Sequence, residues 1–194
     1  MKKSVKTLAF ITITSFLFNF ADAQLKLPGI NNGIAHDVKK VIEDYPNRFI
    51  HLMGEMKVEH TQSTDYQCNF NVNGAEESII TRYSAKKEVC SWQALMLTTD
   101  NFEKAKQKFK SFFSQLNNLS FNNGKTSFRL KGVYESPEET KKFTSVLFSI
   151  EPANESLKKL KVEISMQYIE PMEWKVKVLV YDREREDEER GKDC

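Results

Sequence analysis

His51 and Glu55 stand four residues apart, the spacing that puts two metal ligands on one face of a helix, and His60 follows shortly after. Gly54 falls between them, where the helical pattern ends, and neither His-Glu-x-x-His nor Cys-x-x-Cys occurs. These histidines are therefore expected to be solvated or locally hydrogen-bonded, and neither a metal nor a cofactor is expected. Asn69-Phe70-Asn71-Val72-Asn73-Gly74 opens like a calcium-binding loop, with oxygen ligands at alternate positions and then glycine. The bidentate glutamate that such a loop needs at its twelfth position is replaced by Ile80. The stretch reads instead as the polar face of a strand entering an Asn-Gly turn. No Gly-x-Ser-x-Gly and no phosphate-cradling glycine loop is present. The paired acids Glu76-Glu77 and Glu138-Glu139 fall at turns and helix starts, where charge is expected without catalytic duty.

Three cysteines, Cys68, Cys90 and Cys194, carry the remaining sulfur chemistry. Cys68 and Cys90 lie within apolar patterns, which favours burial or a disulfide over nucleophilic work. Cys194 ends a charged tail, so Cys68–Cys90 is the candidate disulfide. Lys104, Lys106, Lys108 and Lys110 surround the apolar stripe of one segment; the ordinary reading is a solvated face, the other a basic face for an acidic polymer or lipid headgroups.

These residues must be held by a small set of elements. Ile34, Val38, Val41, Ile42 and Tyr45 recur at helical spacing, with Asn32 as N-cap, and Pro46 ends or kinks that helix before a short turn through Phe49, Leu52 and Met53. Residues 65–72 alternate as a half-buried strand, Asn73-Gly74 supplies a tight hairpin, and the return runs through Ile79, Thr81 and Tyr83. A third strand spans Val89 to Leu97. Asp100 and Glu103 form a capping box for a helix whose stripe is Phe102, Ala105, Phe109, Phe112, Leu116 and Leu119, stopped at Asn122-Asn123-Gly124. Strands follow at Phe128 and Leu130, at Val146 to Ile150, and in a long hairpin of 160–168 and 174–180. A helical turn is expected between them at Ser136-Pro137-Glu138-Glu139.

Two registers can be worked out. With two-residue turns at Asn73-Gly74 and Ala85-Lys86, Cys68 faces Ile79 and Ile79 faces Trp92. Cys68 and Cys90 are then two strands apart, about 10 Å, whereas a disulfide needs Cα atoms within about 7 Å. The bond requires that the first and third strands be neighbours or that a pairing be shifted, and both possibilities remain open. In the last hairpin the inward residues of both strands are even-numbered, so paired numbers must sum to an even value. A loop of 170–173 is excluded; 171–173 or 169–173 is expected.

The whole reads as α+β: an antiparallel sheet of about six or seven strands with two amphipathic helices on one face. Met1 to Ala23 has the order of a cleavable export signal: Lys2, Lys3 and Lys6, an apolar run from Leu8 to Phe20, then Ala21-Asp22-Ala23. The run is too short to span a bilayer, and no later segment is expected to. Residues 24–181 form one domain, and 182–194 a charged, solvated tail. Cleavage takes 29 basic groups to 26 and 27 acidic groups to 26, so the surplus of +2 belongs to the leader and a nucleic-acid partner is not expected. The expected address is the periplasm or the medium.

The leader, the stretch Asp44-Tyr45-Pro46-Asn47-Arg48-Phe49 with Gly54-Glu55 after it, and the Phe/Tyr-rich strands resemble small exported proteins of Bacteroidota-type bacteria without an assigned activity. That resemblance implies an envelope or secreted location and carries over no catalytic residue. The leading expectation is a non-enzymatic domain binding a protein partner or a ligand through its sheet or helix–sheet edge. The alternatives are a hydrolase with residues gathered from separate strands, and a carrier of apolar ligands built around Trp92, Phe109, Phe112, Phe113 and Trp174.

Overall fold

The computed structural model describes residues 33–84 and 89–184. The leader, Asn32, the turn at Ala85-Lys86, most of the tail and Cys194 lie outside the described residues. Helix α1 (Ile34–Asp44) is followed by four strands, β1 (Met53–Glu59), β2 (Ser63–Cys68), β3 (Glu77–Tyr83) and β4 (Val89–Thr99). Helix α2 (Phe102–Leu116) is followed by five, β5 (Ser120–Asn123), β6 (Thr126–Lys131), β7 (Phe143–Glu151), β8 (Leu160–Ile169) and β9 (Glu173–Asp182).

All nine strands join one antiparallel sheet in the order β1-β2-β3-β4-β9-β8-β7-β6-β5. Each helix thus leads into a meander of sequence-adjacent strands, and the last strands of the two meanders pair in the middle. The central strands carry the core, because Trp92, Ala94, Val162, Ile164, Val176, Val178 and Val180 are fully buried beneath Val38, Val41, Ala105 and Phe109 of the helices. At about 25 cal/mol per Å² of apolar surface, this shared face is the dominant stabilising term.

Two strands beyond the expected six or seven account for the difference. β1 escapes the sequence reading because its alternation, Glu55-Met56-Lys57-Val58-Glu59, is only five residues long, and six of its seven residues are exposed, with pairing to β2 irregular twice. β5 was read as the end of α2. The helix stops at Leu116, with Asn117 as its C-cap and Asn118 at φ 73°, and Leu119 continues the apolar spacing only by coincidence of period. The cap at the other end also differs: Asn101, not Asp100, accepts from the Lys104 N–H at 2.9 Å. The turn at 136–139 is not helical; Lys141 N–H closes a turn on the Glu138 carbonyl.

The β2–β3 register is displaced by one from the expected hairpin: Gln67 faces Ile79, and residues 69–76 form a loop. The Asn-Gly turn survives inside that loop, with Gly74 at φ 73° and Ala75 N–H on the Val72 carbonyl. What pulls the chain off the strand is α1, since Val72 is buried and Asp37 accepts from the Asn73 N–H at 2.8 Å. In the last hairpin the parity argument holds: Tyr168 faces Trp174, as a 169–173 loop requires, and Ile169 then pairs with Glu173 to leave a three-residue turn.

Candidate functional site

Of the residues that sequence reasoning singled out, those of the 44–49 motif and His51 come together, in the segment between α1 and β1. Pro46 cannot donate a backbone hydrogen bond, and α1 tightens there into a 3-10 turn over Tyr45–Asn47. Arg48 and Phe49 then both adopt left-handed backbone, at φ 54° and 58°, a conformation that side chains with a Cβ rarely take. Such residues cost about 1–3 kcal/mol each. Burial of the Phe49 ring, wholly inaccessible, returns an amount of the same order, about 2–3 kcal/mol.

The fold of this segment is organised by a buried carboxylate. Asp44 accepts from Asn47 Nδ2 at 2.8 Å and from the His51 backbone N–H at 3.2 Å, and its Oδ1 lies 2.7 Å from His51 Nδ1. His51 is therefore oriented by a carboxylate, as a general base would be, while its ring is largely exposed. Among the described residues, no hydroxyl or thiol is bonded to its other nitrogen. Glu55 lies in β1, not one helical turn beyond His51, so the i, i+4 pair is not formed. His60 lies 3.5 Å from Asp65 at the β1–β2 turn. Among the described residues, no group of three or more histidines, cysteines and carboxylates gathers as a metal site.

Beside the segment lies a cleft of about 290 Å³, lined by Tyr45, Arg48, Cys90, Lys159, Asp182 and Glu184 among others. The Tyr45 hydroxyl donates to Asp182 Oδ2 at 2.8 Å. Burial first, and then that bond, push the phenol far above its ordinary value, so Tyr45 stays a neutral donor and cannot act as a base. Lys159 pairs with Glu184, and this bond and charge hold its ammonium above the usual lysine range. Arg183 N–H bonds the Lys159 carbonyl. Residues 182–184, read from sequence as the start of the tail, are thus built into the end of β9.

Cys68 and Cys90, the candidate disulfide, are both buried and form no disulfide bond. β3 stands between their strands, and the position on β2 in register with Cys90 is Thr64, four residues from Cys68. The separation is about 10 Å across and about 13 Å along the sheet, well outside disulfide range. The neighbouring-strand arrangement that the bond required is not the one formed.

The loop that resembled a calcium site spends its polar groups internally, with Asn69 Nδ2 on the His51 carbonyl and the Asn73 N–H on Asp37. Glu76 accepts from both the N–H and the hydroxyl of Thr98, and Glu77 bonds Lys57. The aromatics considered for an apolar carrier are packing groups. Trp92, Phe109 and Phe112 are buried in the core, Phe113 lies against Tyr134 and Phe148, and Trp174 meets Phe102 and Tyr168 edge-on.

The Asp44–His51 pair and the Tyr45–Asp182 bond were not found by sequence reasoning, because each depends on a turn or a strand end whose course local pattern does not encode. Only the clustering of 44–49 in the quoted motif pointed to the place. No protein-family profile matches this chain, and no curated protein or solved structure matches it either. Among the described residues no helix is long and apolar enough to cross a membrane.

Proposed function

We propose that this chain is an exported, non-enzymatic domain that binds an extended segment of a partner protein along the β1 edge of its sheet. One observation carries the reading. Of the seven large apolar side chains exposed among the described residues, Ile50, Met56 and Val58 fall within nine residues, in and just before the edge strand. An edge strand offers unpaired backbone groups to a strand from another chain; the main-chain hydrogen bonds give such an addition its affinity and contacts of adjacent side chains its specificity. The irregular pairing and the charges of Glu55, Lys57 and Glu59 restrict the edge to a matched partner. The export signal and the resemblance to Bacteroidota-type exported proteins support a periplasmic or secreted address.

Capture of envelope proteins on the immobilised mature chain tests this. A genuine partner is lost on Met56→Lys/Val58→Lys and slows hydrogen exchange of the β1 amides. Equal capture by wild type and variant, or protection elsewhere only, refutes the edge. The mass of the exported chain should begin at Gln24; an uncleaved chain refutes the export reading.

The hydrolase alternative has the Asp44–His51 pair in its favour and nothing else. It predicts an ester or amide turnover that His51→Ala abolishes. Nothing in the packing favours the apolar carrier.

A further inference from the structure

Helix α2 carries five charged residues, Glu103, Lys104, Lys106, Lys108 and Lys110, a surplus of three positive charges on one element of a nearly neutral mature chain. Among the described residues, none of the four lysines has a carboxylate within ion-pair distance. Their placement around the axis is ordered. At 3.6 residues per turn, Lys104 and Lys108 form one row and Lys106 and Lys110 a second, each about 100° from the buried line of Ala105, Phe109, Phe112 and Leu116. Gln107, Ser111 and Ser114 lie between the rows, with Glu103 in the first turn at the head of the same ridge. Lys106 stands over the Phe102 ring and Lys108 over Phe112, so their stems run along apolar surface while the ammonium groups remain at its margin. Beside the same helix, Tyr134 packs on Phe109 and Phe113, and its neighbour Val133 is 81% exposed.

We infer that the solvent face of α2 is a docking surface for an anionic phospholipid layer. Two lysine rows on opposite flanks of a ridge whose one charge is Glu103, at its N-terminal end, reach one plane together, whereas a linear polyanion tracks a single row. Val133 adds one apolar side chain at the border. Charge complementarity, not insertion, holds the contact, because the apolar face of α2 is already spent on the sheet. The border loop itself carries three carboxylates, Glu135, Glu138 and Glu139, of which Glu138 is paired with Lys141. This surface is distinct from β1 and does not rest on the edge reading.

Each lysine near an anionic bilayer contributes about five-fold in partitioning. The mature chain should co-sediment with phosphatidylcholine vesicles containing phosphatidylglycerol, not with pure phosphatidylcholine, and should be released by added salt. Lys106→Gln/Lys110→Gln and Lys104→Gln/Lys108→Gln should each lower the partition coefficient by about thirty-fold. Lys158→Gln/Lys161→Gln, away from α2, should leave it unchanged, with circular dichroism checking that all variants fold. Failure of the wild type to bind the anionic vesicles, salt-insensitive binding, or an equal loss in the control pair overturns the proposal. So does tighter binding of soluble polyglutamate than of vesicles, which would make the face a polymer site.

Discussion

Replacing Tyr45 by phenylalanine removes one oxygen from a half-buried ring and takes from Asp182 Oδ2 its donor at 2.8 Å, while Oδ1 keeps the Glu184 N–H. A hydrogen bond to a charged acceptor is worth about 1.5–3 kcal/mol, and partial exposure brings this bond to about 1–2 kcal/mol. The expected fall in thermal midpoint is about 3–6 °C for a chain of this size. Urea unfolding of the wild type, Tyr45→Phe, Asp182→Asn and the double variant isolates the pair, and the coupling energy at pH 7 should be about 1 kcal/mol. The pH dependence has a definite sign. The folded phenol has its pKa raised, so the bond's stabilisation is fully present below the unfolded value of about 10 and is lost as pH climbs above it towards the folded value. The gap between wild type and Tyr45→Phe should therefore be constant from pH 7 to about 9 and close in stronger alkali. In a spectrophotometric titration of the six tyrosines, Tyr45→Phe should delete a late step. A coupling indistinguishable from zero, or a gap that widens in alkali, refutes this account of how β9 is tied to α1.

Three further outcomes follow from local geometry. Arg48 holds a left-handed conformation, so Arg48→Gly should be more stable than Arg48→Ala by about 1 kcal/mol in urea unfolding, whatever the arginine side chain contributes. Asn101→Ala should cost about 1 kcal/mol through loss of the α2 cap while Asp100→Ala costs little; the reverse order would restore the capping box read from sequence. A Cβ on Gly132 would stand 2.9 Å from the Phe148 ring and Val146 Cγ1, so Gly132→Ala should destabilise by about 1–3 kcal/mol, measured by the shift in urea midpoint.

The sequence spoke most clearly where one face of an element is buried and the other wet. β8 and β9 alternate almost without error, and the parity of their buried residues was enough to exclude one turn length and admit the observed register. α1 and α2 were readable for the same reason at a different period. β1 was not, because nothing covers either of its faces and no pattern of burial marks its residues. β5 was lost because Leu119, beyond the turn, falls on the helical stripe of Phe112 and Leu116, so the spacing gives no sign that the backbone turns at Asn118. The β2–β3 register failed on one tertiary contact, Asp37 with the Asn73 N–H, between residues 36 apart in the chain.

The segment 44–51 shows why a site is harder to read than a fold. Its types are conspicuous, an acid, an aromatic, a proline, an arginine and a histidine within eight residues, and with Gly54 ending the helical pattern the expectation for His51 is a solvated or locally hydrogen-bonded ring, without the partner being named. The chemistry that formed runs backwards along the chain, from His51 to Asp44, because two left-handed residues turn the backbone over that carboxylate. Left-handed backbone at arginine and phenylalanine opposes local preference, so no local rule could have placed it there. It persists because Phe49 is buried in the core and because Asp44 satisfies three donors of Asn47 and His51, near in sequence but brought to it only by the turned backbone. Position 48 measures that balance directly. If Arg48→Gly raises stability relative to Arg48→Ala while leaving the His51–Asp44 distance unchanged, the turn is held by its tertiary contacts and the strain is a cost they carry. If the glycine loosens the turn and His51 leaves Asp44, the arginine side chain is itself one of the constraints, and the carboxylate alone does not organise the segment.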